Sequence, residues 1–385
     1  GMFIAKGAAR PQLNRRKARN NWSKEQAEAW QNARPGIRGD NGLPSNCVNN
    51  TALWQQYNHD EVFEQVNYEF ELAKNTGFNS VRTIISFELW LYEHDSFMRH
   101  LEEYLAAAEK HGLDVMLCIG NDCNVPKEFY SFSTGPQHVD WGYHSGIKRG
   151  QHSGTHTAPG YQLSDEPEMR RKFYDMVDEM AALYARDKRI CVWDVWNEIG
   201  NSRRGTMSVE KMLTAAEIIR SHDNIAPVTA DCWRYNSDCM PYTEEELTAL
   251  DMSDVITFHC YGSFCNMVRI IENLTRAYDR PLINNEWLNR IEHNNVDDIF
   301  PLFYLEKIGS YHWGLIQGYS QTYEPWGCYF SEIADPEYNG DKDFTKFQHD
   351  LYRFNGLPYI AKEVQIIKEF SRLADQRFKN ERGVK

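Results

Sequence analysis

The stretch "ICVWDVWNEIGN", residues 190 to 201, is an apolar run closed by an amide, a carboxylate and a glycine. Its length and its β-branched and aromatic content predict a buried strand. Glu198 then stands at the end of that strand among Trp and Val side chains. An ionised carboxylate there is costly unless it is paired, hydrogen-bonded or used in chemistry.

Similar runs recur along the chain: residues 41 to 46, 79 to 85, 113 to 120, 226 to 231, 254 to 261, 281 to 287 and 313 to 319. Between them lie segments with helical apolar spacing, such as Val62, Phe63, Val66, Phe70 and Ala73, or Met98, Leu101, Leu105 and Ala108. Further helices are expected over 166 to 185, 208 to 222, 243 to 250, 266 to 278, 297 to 308 and 360 to 374, with Thr243 and Glu246 at capping-box spacing. Eight strands alternating with eight helices predict an α/β fold of the (β/α)8 TIM-barrel type, whose chemistry sits at the C-terminal ends of the strands. A doubly wound sheet would carry a Gly-rich phosphate turn, and no such motif occurs.

The expected organisation is an N-terminal arm and helix over residues 1 to 35, with a single catalytic barrel over 36 to 385. The arm is basic, and "WSKEQAEAWQNA" after it has a Ser cap and helical composition. One long insertion follows the third strand, residues 121 to 165. It is rich in Gly, His, Ser and Pro, and is expected to fold over the active face.

A net charge of −13 repels polyanions, so neither nucleic acid nor an anionic membrane is the expected partner. A neutral substrate fits better. The nine Cys show no CxxC and no zinc-type spacing, which predicts free thiols in a reducing compartment. No run of about 18 apolar residues is present to span a membrane. The start has no signal-peptide core, so a cytoplasmic location is expected, or a secreted or periplasmic one if a leader has been trimmed.

A second Glu occupies the same kind of place as Glu198: Glu286 in "INNEWLNR", about 90 residues later, or three βα units of about 30 residues. The two strands then face each other across the barrel mouth. A pair of carboxyl groups so placed, one protonated and one ionised, is what glycoside hydrolysis requires. Beside Trp and Val, Glu198 is expected to hold its proton near neutral pH.

With these residues in view the sequence resembles a family. "WNE" at 196 to 198, "NEW" at 285 to 287, "FNSVR" at 78 to 82 and "HCY" at 259 to 261 match the retaining β-glycosidases of clan A, the superfamily that holds the family 5 and family 2 catalytic barrels. "LPSNCVNNTALWQQY" and "HWGLIQGYSQTYEPWG" extend the likeness to bacterial barrels of the cellulase, xylanase and mannanase type, from about residue 36 to 375.

The resemblance implies roles. Glu198 takes the acid/base position and Glu286 the nucleophile. Asn197 would bond the sugar 2-hydroxyl, and Arg82 would lie under Glu286 and keep it ionised. Tyr261 would orient Glu286, while His259 would line the same subsite. Trp287 and Trp326 are candidate sugar platforms. Trp313 reads as too early in the last strand to floor the subsite, and Trp326 as rather late. Where such barrels often carry a His after the third strand, this chain has "GNDCN", so Asn121 or Asp122 is expected to serve the sugar there.

No cofactor and no metal is expected. A metal-dependent barrel hydrolase would need His-x-His on its first strand, and none is present; His138, His144, His152 and His156 lie unpatterned in the long insertion. A carbohydrate-binding barrel without catalysis is the other alternative, and the presence of both Glu counts against it.

Overall fold

In the computed structural model, which describes residues 4–5 and 20–383, the stretch quoted above is a strand, Ile190–Asn197, with all eight residues buried. It belongs to a series: β1 (Ile4–Ala5), β2 (Arg38–Asn41), β3 (Ser80–Ile84), β4 (Asp114–Asn121), β5 (Ile190–Asn197), β6 (Val228–Thr229), β7 (Tyr235–Asn236), β8 (Ile256–His259), β9 (Leu282–Glu286) and β10 (Gly309–Trp313). β1 and β7 pair only with each other. The other eight form one parallel sheet in the order β6-β5-β4-β3-β2-β10-β9-β8. Its edges meet where Cys232 N donates to Thr257 O (3.4 Å) and His259 N to Cys232 O (2.8 Å). The sheet is therefore a nearly closed (β/α)8 barrel.

The helices are α1 (Lys24–Asn32), α2 (Asn50–Trp54), α3 (His59–Thr76), α4 (Phe87–Tyr92), α5 (His94–Lys110), α6 (Pro167–Tyr184), α7 (Val209–Ser221), α8 (Glu244–Met252), α9 (Phe264–Tyr278), α10 (Val296–Leu305), α11 (Cys328–Ile333) and α12 (Ala361–Glu381). Their ends follow local chemistry. Ser23 and Gln26 form a full capping box on α1, and Thr243 accepts from Glu246 N at the start of α8. Among the described residues no helix is long and apolar enough to cross a membrane. Most of the basic arm expected at the N-terminus lies outside the described residues.

Two strands are shifted along the chain from the sequence expectation, and a third is shorter. The first is Arg38–Asn41 rather than 41 to 46, and the last is Gly309–Trp313 rather than 313 to 319. Both are polar in composition and buried, so hydropathy does not mark them. Several of their polar groups are paired inside the barrel wall: Arg38 donates to Gly77 O and Gly36 O, the Tyr311 hydroxyl bonds Ser80 Oγ at 2.7 Å, and His312 Nδ1 meets Gly39 O at 3.1 Å. The strand expected over 226 to 231 is confined to Val228–Thr229.

The barrel interior is layered. At its N-terminal end an apolar layer of Met116, Val192, Val255, Ile283 and Tyr311 packs against fully buried Ala27 of α1, with Trp22 and Trp30 at its margin. This helix is the floor of the barrel. Above it lies a polar layer centred on the buried Arg82 guanidinium, held by Asp194 and Asp231, each at 3.0 Å. Asn285 joins those carboxylates from the side, donating to Asp194 Oδ2 (3.1 Å) and Asp231 Oδ1 (2.6 Å).

The insertion, residues 122 to 166 between β4 and α6, contains four short 3-10 turns and arches over the C-terminal mouth. A bridge between Pro126 and Gly160 closes its base. Its far side is tied to two other loops. Gly135 exchanges two bonds with Gln55 beyond β2, and Asn49 Nδ2 donates to Gln137 Oε1. Beyond β10, Gly142 N donates to Gln321 Oε1, Gln321 Nε2 to Asp140 O, and His144 Nδ1 bonds Glu324 O. At Gly146 (φ +69°) a Cβ would meet Val48 at 2.4 Å, so the contact requires glycine.

Candidate active site

Strand direction brings the ends of β2, β3, β4, β5, β8, β9 and β10 to one cavity of about 450 Å³ at the mouth. Glu198 follows β5 directly and adopts a left-handed backbone (φ 46°), a costly conformation for a non-glycine residue. The turn aims its carboxyl group inward. Glu286 ends β9 and is buried opposite it.

His259, the last residue of β8, joins the two: Nδ1 lies 2.9 Å from Glu198 Oε2 and 3.4 Å from Glu286 Oε2. Oxygens of both carboxylates and a nitrogen of His259 all lie within 4.8 Å of one another. Glu286 also accepts from Arg82 Nη1 (3.0 Å) and from the Tyr261 hydroxyl (2.6 Å). Asn197 Oδ1 accepts from Arg82 Nη2 (2.6 Å), and its Nδ2 donates to Asn121 Oδ1 (2.9 Å). Arg82 also donates to Asn41 Oδ1 at 2.7 Å, so one guanidinium fixes four elements of the wall.

The proton balance of this cluster departs from the sequence expectation. Burial raises the Glu198 carboxyl, but the hydrogen bond and charge of His259, and the Cys123 thiol, outweigh it and hold the group below the usual carboxylate range. Burial disfavours charge on His259 as well, yet Glu286, Asp231 and Glu198 push its imidazole up to about 10. Glu286 is raised by burial and by the Glu198 charge, against His259 and Arg82. The cluster thus favours the ionised form of Glu198 and the protonated form of His259, whose Nδ1 lies within hydrogen-bond distance of Glu198. Aromatic surroundings alone do not keep Glu198 protonated.

The sequence matches the family model of cellulase, glycosyl hydrolase family 5, over residues 19–297. The chain belongs to glycosyl hydrolase family 5. It is accordingly a glycoside hydrolase. No curated protein sequence matches it. Among solved structures it is similar to the exo-β-1,4-mannosidase Op5Man5 from Opitutaceae bacterium strain TAV5, with a TM-score of 0.55 and 17% identity over 90% of this chain and 61% of that one. It is also similar to the endo-β-1,4-mannanase from Thermotoga petrophila (TM-score 0.51, 13% identity, 90% of this chain and 78% of the other). A third is the family 5 mannosidase from Rhizomucor miehei (TM-score 0.50, 14% identity, 89% and 94%). At these identities the likeness is one of fold.

Within this family 5 barrel, two residues expected at the sugar lie elsewhere. Asp122 is fully buried behind the cavity: its Oδ1 accepts from Trp196 Nε1 (2.8 Å), Ser208 Oγ (2.6 Å) and Gln162 Nε2 (2.6 Å), and its Oδ2 from Gly200 N (2.7 Å). These bonds hold its carboxylate behind the turn after β5, and with no exposed surface it does not reach a hydroxyl in the cavity. Trp287 is buried outside the strand wall, stacked on Phe300 and edge-on to Phe303. It follows Glu286 directly, and strand alternation sends it to the opposite face. Asn121 does line the cavity, as do Trp326 and Trp313. Trp313 is the terminal residue of β10, not an early one, because that strand begins four residues sooner than its hydropathy suggests.

Several cavity residues escaped the sequence reading. Cys123 Sγ lies 3.1 Å from Glu198 Oε1, which also accepts from Asn201 Nδ2 at 2.8 Å. The i, i+3 spacing of Glu198 and Asn201 around a glycine was the available signal. His152 stacks on Trp326 (centroids 5.5 Å apart, 22° between planes), and burial lowers its imidazole to about 4, so it lines the wall as a neutral ring. Trp233, beyond β6, lines the cavity on the Glu198 side, its Nε1 donating to Ile199 O (3.0 Å).

Among the described residues, the group of three side chains spaced to hold a metal ion is Glu198, His259 and Glu286. A cation there would have to displace the proton on His259 and sit beside Arg82, against both positive charges. The histidines of the insertion are otherwise engaged: His138 with Asp140, His144 with Glu324 O, His156 with Arg149 O.

Proposed function

We propose that this family 5 enzyme is a retaining β-glycosidase acting on O-glycosidic bonds of a neutral β-linked oligo- or polysaccharide, with Glu286 as nucleophile and Glu198 as acid/base. The observation that carries the reading is the approach of the two carboxylates to within 4.8 Å. So close an approach supports the retaining arrangement, with carboxyl groups about 5 to 5.5 Å apart, over the inverting one at about 6.5 to 9.5 Å.

The partners of each carboxylate support the division of roles. Glu286 faces Arg82 and Tyr261, donors that favour its ionised form when it attacks. Glu198 lies one hydrogen bond from the proton on His259. In the first step Glu198 takes the proton from His259 and delivers it to the departing oxygen as the bond from that oxygen to the anomeric carbon breaks and Glu286 bonds the carbon. In the second, Glu198 takes a proton from water, the resulting hydroxide bonds the anomeric carbon, and Glu286 leaves. Asn197 and Asn121 offer amide groups at the cavity wall to the sugar hydroxyls, and Trp313 and Trp326 offer aromatic faces.

The test is an assay against aryl β-glycosides and β-linked polysaccharides, with β-mannosides included because several similar structures carry mannosidase or mannanase names. The first-formed anomer is read by NMR. A β-anomer from a β-glycoside is expected; an α-anomer, or undiminished hydrolysis of a poor-leaving-group substrate by Glu198→Ala, overturns the assignment.

A further inference from the structure

We infer that this enzyme is exo-acting, seating only the non-reducing terminal sugar of its substrate beneath the insertion and cutting the first linkage; the inference rests on the reading of Glu198 and Glu286 given above. The two carboxylates rise from β5 and β9 and divide the mouth into two sectors. By strand order, one sector lies over β4, β3, β2 and β10 and the other over β6 and β8. A chain passing between the carboxylates must run from one sector into the other.

The insertion covers the first sector. It leaves β4, is tied to the loop beyond β2 by Gly135–Gln55 and Gln137–Asn49, and to the loop beyond β10 by Gln321, Glu324 and the Trp326 ring. It then returns to its base, where Gly160 N donates to Ser202 O and Asn124 N to Ser202 Oγ. At Gly327 a Cβ would meet His152 O at 2.5 Å, so insertion and β10 loop pack backbone to backbone at this point. Ser145, Ile147 and His152 face the cavity from this roof. Beyond β6 and β8 the described connections are shorter, residues 230 to 243, where β7 pairs with β1, and residues 260 to 263, and Trp233 lines the cavity there.

The order of the chemistry decides which end of the substrate fits which sector. In a double displacement the leaving group must depart while the other sugar remains covalently attached to the nucleophile. The departing, reducing-end portion therefore needs the open sector beside Glu198 and Trp233. The retained sugar occupies the closed one over Trp313, where the roof blocks any further unit on its non-reducing side.

The test uses the wild-type protein and two sets of 2-deoxy-2-fluoro-β-glycosyl fluorides: the monosaccharides of glucose, mannose, galactose and xylose, and the corresponding β-1,4-linked disaccharides. In each, the C1–fluoride bond breaks, Glu286 bonds C1 and fluoride leaves. Intact-mass spectrometry reads the adduct, and peptide mapping locates it. A monosaccharyl adduct on Glu286 forming at least about 100-fold faster than any diglycosyl adduct is expected. A diglycosyl adduct at a comparable rate overturns exo action and leaves the glycosidase reading standing. No adduct from any donor, or one on another residue, overturns that reading and the exo assignment with it.

Discussion

The two ends of this barrel are built on opposite principles. The N-terminal end is closed by α1 seated on an apolar layer of Met116, Val192, Val255, Ile283 and Tyr311. The C-terminal end gathers two glutamates, a raised histidine and a buried arginine around a cavity, with Glu198 on a left-handed backbone. The first arrangement stabilises by removing surface from water. The second holds like charges and strained backbone in place, at a cost in stability that the rest of the fold offsets. Stability and chemistry are thus assigned to different ends.

That contrast can be broken most sharply at Glu286. Glu286→Gln is expected to lower kcat by about 10⁴-fold or more while leaving the Tm unchanged or raised, since one of two facing buried carboxylates loses its charge. A fall in Tm of the size expected for a core residue would show that the mouth is structural after all. Arg82→Met comes next, leaving Asp194, Asp231 and Glu286 without their shared cation; a loss of about 3 to 5 kcal/mol in urea unfolding is expected, together with activity.

At the opposite end, Tyr311→Ala is expected to cost about 3 kcal/mol, with kcat per folded molecule retained. His259 offers a pH-resolved version of the comparison. Its pKa is raised to about 10, against about 6.5 unfolded, so its contribution is fully present below about pH 6.5 and disappears as pH rises through 10. The difference in stability between wild type and His259→Asn should therefore be largest at about pH 6.5 and just below, on the order of 2 kcal/mol, and shrink by pH 10.5. A difference that grows with pH would exclude a charged His259. Smallest is Ser23→Ala, which removes the α1 cap for about 1 kcal/mol with no change in kcat.

How much of this was legible beforehand follows the same division. Strands such as Ile190–Asn197 announce themselves because the outer wall of the barrel is apolar and hydropathy is the signal a strand reader uses. β2 and β10 gave no such signal: their buried residues include Arg38, Asp40, Asn41, Ser310 and His312, and Asn41 finds its partners at Arg82 and Asn285, far along the chain. The error over β10 then misplaced Trp313. Glu198 and Glu286 stood out because each is a carboxylate ending an apolar run. Trp287 misled for the complementary reason, since proximity to Glu286 in sequence sends a side chain to the other face of a strand. Asp122 sits one residue past Asn121, yet one residue is enough to move a carboxylate from the cavity wall to the support behind it. The roof formed by the insertion depends on the pairings of Gln55, Asn49 and Gln321, which no local pattern encodes.

The position of α1 also orders the synthesis of the molecule. Its floor partners on β9 and β10 emerge from the ribosome about 250 to 280 residues after it. At about 5 to 20 residues per second that delay lasts roughly 15 to 55 seconds. During this interval the apolar side of α1 has no barrel to enter, and the contacts that finally seat it are among the longest-range in the chain. Among the described residues α1 is the first helix in chain order, yet its seat is complete only once β10 has been made.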